Sequence, residues 1–499
     1  MDDTKKALTI LIANTVAFAA CFSAWMLNGS LVTFLIDSGA YTWNRAEIGW
    51  LIGLPVLTGS LMRLPVGILA DRFGGRPVFG LLMILSAVPL FLLSYADSYF
   101  HFALASLGFG LTGASFAVGV AYTALWFPRE RQGTALGIFG MGTIGAALTS
   151  LIVPSLLVHL ADHGNNIEAW RALPRYYAGL LLLVSILYMG VTTNRKPILT
   201  GVTSFRARLN PLKDIRVWRF GLNYFLVFGG FVALSQWLIP YYLNVYSLSV
   251  ASAGFMASVF SLPSAGVRAI GGYLSDRRGA NRVMSLVLVG CLIFCTMLIV
   301  PKMDIESPGM GVMTSRAGLV TAVTGNEIKV NEVVYPLRTS IREMSLREVD
   351  RSDVLILPTI TSWQDPVVDV GDTVVKRQLI ARGVTHIHFQ ANIWIFTGLL
   401  FLVGFLMGMG MGAVYKHIPE TFPSHVGVVG GLVGVIGGLG GFFSPILFGY
   451  LLEYTGIWTT CWMFFAALAA ACLLWKSSSD TKAKEPSKDD LVPAPKSVT

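Results

Sequence analysis

Twelve stretches of this sequence are apolar over about 20 residues each, the length a helix needs to cross a hydrocarbon core. They lie at roughly 8–36, 46–70, 78–95, 101–126, 134–159, 175–193, 217–245, 250–274, 283–302, 390–415, 425–452 and 457–475. In lipid every backbone polar group must be satisfied internally, so runs of this length fold as helices. Only 13% of residues are charged, against about 25% in soluble domains. The fold class expected is an all-α membrane protein, with the lipid bilayer as its solvent. The formal net charge of +9 does not point to nucleic acid, because the basic residues sit in short loops between apolar runs, where they set topology. The five cysteines all fall inside apolar segments and say nothing about redox compartment. The first apolar run is too long for a signal-peptide core and is read as retained.

The spans divide into two groups of six, expected as pseudo-symmetric six-helix bundles at 1–193 and, interrupted, at 217–303 and 390–476. A basic, polar connector (194–216) joins them, and a Lys/Asp/Pro/Ser-rich tail (477–499) is expected to be disordered. The loops after spans 2, 4, 6 and 8 carry Arg72 and Arg76, Arg129 and Arg131, the basic connector, and Arg277, Arg278 and Arg282. Those loops, and with them both termini, are therefore assigned to the cytoplasm. Arg171 and Arg175, after span 5, break the pattern. Residues 304–389 read differently: "GLVTAVTGNEIKV", "DVLILPTIT" and "VVDVGDTVVKRQLIARG" are Val/Ile/Thr runs between Gly, Asn and Asp, the signature of strands and turns. A small β-rich periplasmic insert between spans 9 and 10 is expected, with a periplasmic partner left open. "VDVGDTVVKRQLIARG" resembles a strand pair of a biotinyl/lipoyl-type barrel, without a lysine in a modification motif. His386 and His388 alternate as on one strand face; a metal site there is an open alternative, and none is assigned.

The chain also repeats itself. "RLPVGILADRFGGR" and "RAIGGYLSDRRGAN" share Arg63/Arg268, Gly67/Gly272, Leu69/Leu274, Asp71/Asp276, Arg72/Arg277 and Gly74/Gly279, all 205 residues apart. Duplicated halves are typical of transporters built from parallel repeats. Arg63 and Arg268 each stand eight residues before the aspartate that ends their span, about 12 Å into the membrane at helical rise. An arginine at that depth costs roughly 2.5–3.5 kcal/mol on insertion scales. No Asp or Glu occupies the middle of any span. The partner expected for two such guanidiniums is therefore an anionic substrate, and their planar forks suit a planar oxyanion.

Spans 5 and 11, "GTALGIFGMGTIGAALTSLIVP" and "GGLVGVIGGLGGFFSPILFGY", align Gly133, Gly137 and Gly140 with Gly430, Gly434 and Gly437 at a constant 297. Small residues at this spacing let helices pack closely; they also leave room for a small ligand. In span 7 Tyr224 and Phe228 share a helical face, and span 4 centres on Phe116. Aromatics in spans are usually packing, but a phenolic hydroxyl near the arginines can donate to an anion.

"GILADRFGGR", echoed by "GYLSDRRGAN", resembles the loop motif of the major facilitator superfamily. The two span arginines, "WFPRERQGTALGIFGMGTIG", "VFGGFVALSQWL" and "GGLGGFFSP" together resemble the nitrate/nitrite porter family, over all twelve spans. That resemblance implies transport of nitrate and nitrite by alternating access in a bacterial inner membrane. It implies an anion held between Arg63 and Arg268, lined by Tyr224, Phe228 and Phe116 and by Gly142, Thr143, Gly440 and Gly441 of the glycine-rich spans. It assigns conformational gating to Gly67, Asp71, Arg72, Gly74, Gly272, Asp276, Arg277 and Gly279. Thr143 stands where the family usually has Asn, and the β insert is absent from its compact members. Nitrate/nitrite exchange is favoured, since an empty site leaves two unpaired cations facing each other. Proton-coupled symport, a nitrate sensor and a porter of another small anion are the alternatives. No cofactor, metal or enzymatic constellation is expected.

Overall fold

The computed structural model describes residues 3–196, 213–300, 303–338, 359–389, 391–422 and 426–482. Two units make up the chain, Met1–Ile299 with Thr397–Thr499, and Val300–Phe396. In the first, eleven helices among the described residues are long and apolar enough to cross a bilayer. They are α1 (Thr4–Asp37), α2 (Arg45–Phe73), α3 (Gly75–Leu93), α4 (Tyr99–Ala124), α5 (Thr134–Leu160), α6 (Ile167–Val191), α7 (Ile215–Tyr246), α8 (Val250–Arg278), α9 (Ala280–Met297), α10 (Ile393–Ile418) and α11 (Val429–Thr455). The twelfth, α12 (Thr460–Lys482), has a shorter apolar part, Thr460–Lys476. It continues as helix past Ser477, where the sequence places the start of the tail; residues 483–499 of that tail and 197–212 of the connector lie outside the described residues. Helix α7 begins inside the expected connector because Asp214 caps it, its carboxylate accepting from the Arg216 N–H at 2.9 Å.

Of the two arginines that break the loop-charge pattern, Arg171 meets two carboxylates where it stands. Arg171 pairs with Asp97 at 2.7 Å and Glu168 at 2.6 Å, and donates to the Ser94 and Ala96 carbonyls. Arg175 donates to the Ser94 hydroxyl at 3.0 Å. Both tie α6 to the turn between α3 and α4, and the positive charge of Arg171 is offset locally.

Besides the turn at Met26 that joins the two α runs of α1, four central helices depart from regular α geometry. The α run of α2 is interrupted at Met62, whose own N–H still reaches the Thr58 carbonyl at 2.9 Å; Pro65 has no N–H for the Leu61 carbonyl. Helix α4 tightens to a 3-10 turn at Gly110–Ala114, and α5 at Met141–Thr143. Helix α7 widens to a π turn at Phe225–Gly229, which nearly aligns residues four apart. Tyr224 and Phe228 therefore stack 5.0 Å apart and 3° from parallel. Such local distortions are frequent at functional sites, and each of these four adjoins a side chain of the arginine pair.

Glycines show how the two bundles meet. A Cβ on Gly49 of α2 would lie 2.5 Å from the Pro445 oxygen of α11, and one on Gly449 of α11 2.5 Å from the Arg45 oxygen. Gly254 of α8 stands as close to Ser150 of α5, and Gly29 of α1 to Gln236 of α7. Glu453 accepts from the Ala46 N–H at 3.2 Å, placing a carboxylate from α11 on the first turn of α2. All these contacts lie on the side of the arginines away from the duplicated loops. On the loop side the approach of α5 to α8 is looser: a Cβ on Gly137 finds only Ala269, at 3.7 Å.

The second unit is built of two open antiparallel sheets rather than the closed barrel its sequence resembles. Strands β1 (Met303–Met313), β7 (Leu379–Phe389) and β5 (Thr359–Pro366) form one, in the order β1-β7-β5. Strands β4 (Val333–Pro336), β3 (Glu327–Val330), β2 (Gly318–Val323) and β6 (Thr373–Val374) form the other. "GLVTAVTGNEIKV" is the β2–β3 hairpin, while most of "DVLILPTIT" falls outside the described residues. The core is Val320, Ile328, Val330, Val374 and Ile380, all fully or nearly fully buried. His386 and His388 sit two apart on β7, opposite Glu306 and Asp304 of β1; among the described residues no three metal-ligating side chains gather.

Candidate functional site

Trp25 builds one wall. Gly59 and Gly113 have no Cβ, and the indole fills the space one would take. Its Nε1 donates to the Pro55 carbonyl at 2.8 Å. Thus fixed between α2 and α4, the ring lies 5.7 Å from the Arg63 guanidinium carbon. Phe228 stands 4.9 Å and Phe116 5.4 Å from the same carbon. Arg63 also donates through Nη1 to the Gly434 carbonyl of α11 at 2.6 Å, so the first bundle's arginine reaches across to the second. Its Nε points at the Gly113 carbonyl at 3.4 Å.

Arg268 is held more lightly. Its Nη2 donates to the Tyr224 hydroxyl at 3.4 Å, and its guanidinium carbon lies 5.2 Å from Phe116 and 6.0 Å from Tyr415. One phenyl ring, Phe116, therefore serves both cations. Gly140 of α5 lies against this guanidinium; a Cβ there would be 3.0 Å from Nε.

Both arginines are buried, 3% and 6% exposed. Each retains one terminal nitrogen, Nη2 of Arg63 and Nη1 of Arg268, with no hydrogen-bond partner among the described residues. Among those residues neither forms an ion pair with a carboxylate. Desolvated cation–π contacts contribute about 2 kcal/mol each, while a buried ion costs several kcal/mol. Three rings and two carbonyls go far toward offsetting Arg63; two rings, at 5.2 and 6.0 Å, and one long hydroxyl contact do less for Arg268. Each bundle thus contributes one buried guanidinium nitrogen without a partner among the described residues, beside shared aromatic rings.

Of the residues singled out in the sequence, the structure gathers Arg63, Arg268, Tyr224, Phe228 and Phe116. It does not turn the others the same way. Thr143 is fully buried and donates to the Gly140 carbonyl of its own helix at 3.0 Å. The open side of Gly142 faces Phe18 and Thr15 of α1; Gly440 faces Phe225 and Gly229, and Gly441 faces Val232 and Val56. These three glycines are helix-packing positions. The glycines beside the guanidiniums are Gly140 and Gly434. Tyr415 of α10 was not foreseen: it meets Tyr224 and Phe116 edge-on at 5.2 and 5.8 Å and donates to the Gly430 carbonyl at 3.4 Å. Its one sequence signal is an isolated tyrosine in the Gly/Met run "GMGMGAVYK".

The duplicated loops keep their symmetry. Gly74 and Gly279 end α2 and α8 with φ of +94° and +85°, a region that favours glycine. Asp276 pairs with Lys416 of α10 at 2.6 Å. Arg72 and Arg277 lie over Phe73 and Tyr273 of their own helices. Gly67 has a lone neighbour, Ala117, at 3.9 Å, and the backbone of Gly272 abuts Gly412 of α10.

A family model described as the Major Facilitator Superfamily matches residues 14–326 and 379–498. A protein named a probable nitrate/nitrite antiporter, NarK1 of Thermus thermophilus, is 36% identical over 94% of this chain and 90% of its own. The chain belongs to the nitrate/nitrite porter family of the major facilitator superfamily. The nitrite extrusion protein of Bacillus subtilis is 24% identical to this porter over 92% of the chain and 91% of its own. Among solved structures, a bacterial homolog of the human lysosomal transporter Spinster superposes with a TM-score of 0.61 at 15% identity, covering 95% of this chain and 97% of the other. The nucleoside transporter NupG superposes at 0.57 and 13% identity, covering 95% and 99%. Both share the fold. The porter is a multi-pass membrane transporter, not an enzyme.

Proposed function

We propose that this porter exchanges nitrate and nitrite across a bacterial inner membrane by alternating access, the anion bridging Arg63 Nη2 and Arg268 Nη1. The observation that carries the reading is the pair of buried, unpartnered guanidinium nitrogens, one per bundle, with no carboxylate on either among the described residues. A flat oxyanion accepts in-plane from both forks while the Phe116 and Phe228 rings lie against its surroundings. A tetrahedral phosphate asks for more donors than this aromatic wall supplies. The names of the Thermus thermophilus and Bacillus subtilis relatives, a nitrate/nitrite antiporter and a nitrite extrusion protein, agree with the choice of anions. The basic loops after α2, α4, α6 and α8 support a cytoplasmic location for both termini.

Exchange follows from the same electrostatics. Losing the anion leaves two cations in low dielectric, so reorientation of the empty carrier is slow relative to that of the loaded one. Liposomes loaded with nitrite should take up external labelled nitrate, with chloride and phosphate failing to compete. Nitrite-free liposomes under an inward-directed proton gradient should take up almost none. Uptake into those nitrite-free vesicles, scaling with the pH difference, sinks exchange and establishes symport.

A further inference from the structure

Gln236 lies on α7, eight residues beyond Phe228 and on the far side of the arginine pair from the duplicated loops. Eight residues of helix span about 12 Å. The side chain is 1% exposed, and neither its Nε2 nor its Oε1 has a partner among the described residues. Its surroundings are the seam between bundles. A Cβ on Gly29 of α1 would lie 2.6 Å from the Gln236 Cβ, so α1 and α7 touch at this point. Ser235, its neighbour on α7, and Ser30, next to Gly29 on α1, have buried hydroxyls that likewise have no partner among the described residues. Ser150 of α5 points its hydroxyl at the Ser235 carbonyl, 3.4 Å away.

A buried amide left unpaired costs about 1–3 kcal/mol, and an apolar side chain of the same shape avoids that cost. The contact that buries Gln236 belongs to the closed half of the bundle interface. Parting α1 from α7 on that side uncovers the carboxamide.

We propose that Gln236 is an outer receiving site for the anion. Its Nε2 hydrogens donate to the incoming oxyanion on the periplasmic side, about 12 Å before the arginine pair along the helix. The proposal rests on the transport reading and on the periplasmic placement of the closed half.

Nitrate/nitrite exchange measured in right-side-out and in inside-out vesicles tests it. Gln236→Met keeps the volume and removes the donors; Gln236→Glu keeps the shape and repels the substrate. Gln236→Met should raise the periplasmic-side KM about 10-fold, the worth of one hydrogen bond to an ion. The cytoplasmic-side KM should stay within about twofold, and the Tm in detergent should hold or rise because an unpaired polar group is gone. Gln236→Glu should raise the periplasmic KM further. A periplasmic KM unchanged in both variants, or KM values rising equally on both faces, overturns the outer site. A native protein that moves no nitrate in either orientation overturns the transport reading instead.

Discussion

Arg63→Lys and Arg268→Lys are each expected to cut nitrate transport about 100-fold or more, at normal expression and folding. A hydrogen bond to a charged group is worth about 1.5–3 kcal/mol, or roughly 10- to 150-fold. Arg63 uses one arm of its fork on the Gly434 carbonyl and keeps the other free. A single ammonium cannot occupy both places, so lysine either releases α11 or abandons the anion. At Arg268 the fork spans the Tyr224 hydroxyl and the unpartnered Nη1 in the same way. Lysine keeps the positive charge at each position, which separates this test from simple charge loss. Counterflow of labelled nitrate, with thermal unfolding as the folding control, measures it. Near-native affinity in either variant removes the arginine pair from the binding site.

Much of this site was legible because charge in lipid is rare and the chain repeats. A 205-residue spacing pairs Arg63 with Arg268 and Gly74 with Gly279 in the sequence itself, and the span count follows from apolar length alone. Aromatic residues carry no such mark. Trp25 and Tyr415 are two among many rings in spans, and only packing shows that Gly59 and Gly113 admit one beside Arg63 while the other closes on Tyr224. Glycine spacing likewise reports that helices pack, without reporting which face: Gly142, Gly440 and Gly441 turned toward neighbouring helices, and Gly140 and Gly434 toward the arginines. The π turn in α7, which sets the Tyr224–Phe228 stack, depends on tertiary contacts and leaves no periodicity to read. In the insert, strand composition was visible, whereas the pairing of β1 with β7 joins ends far apart in the chain and follows from no local pattern.

The glycine face also makes the sharpest prediction about the walls of the site. Gly437, Gly140, Gly434, Gly137 and Gly430 all belong to the same repeated pattern, and a packing motif alone implies that alanine harms them alike. Their surroundings differ. A Cβ on Gly437 would lie 2.1 Å from the ring of Tyr224, which is fully buried and touches Arg268. On Gly140 it would lie 3.0 Å from Arg268 Nε, and on Gly434 3.2 Å from the Tyr415 hydroxyl; on Gly137 and Gly430 the nearest atoms stand at 3.7 Å, ordinary contact. Overpacking a tight position costs about 1–3 kcal/mol, whereas Gly→Ala in an open helical position gains up to about 1 kcal/mol. Gly437→Ala should therefore lose transport by about 10-fold or more, and Gly140→Ala and Gly434→Ala should show weakened nitrate affinity at near-normal Tm. Gly137→Ala and Gly430→Ala should transport normally with unchanged or higher Tm. If those last two fail as badly as Gly437→Ala, the wall of the site is not where these distances put it.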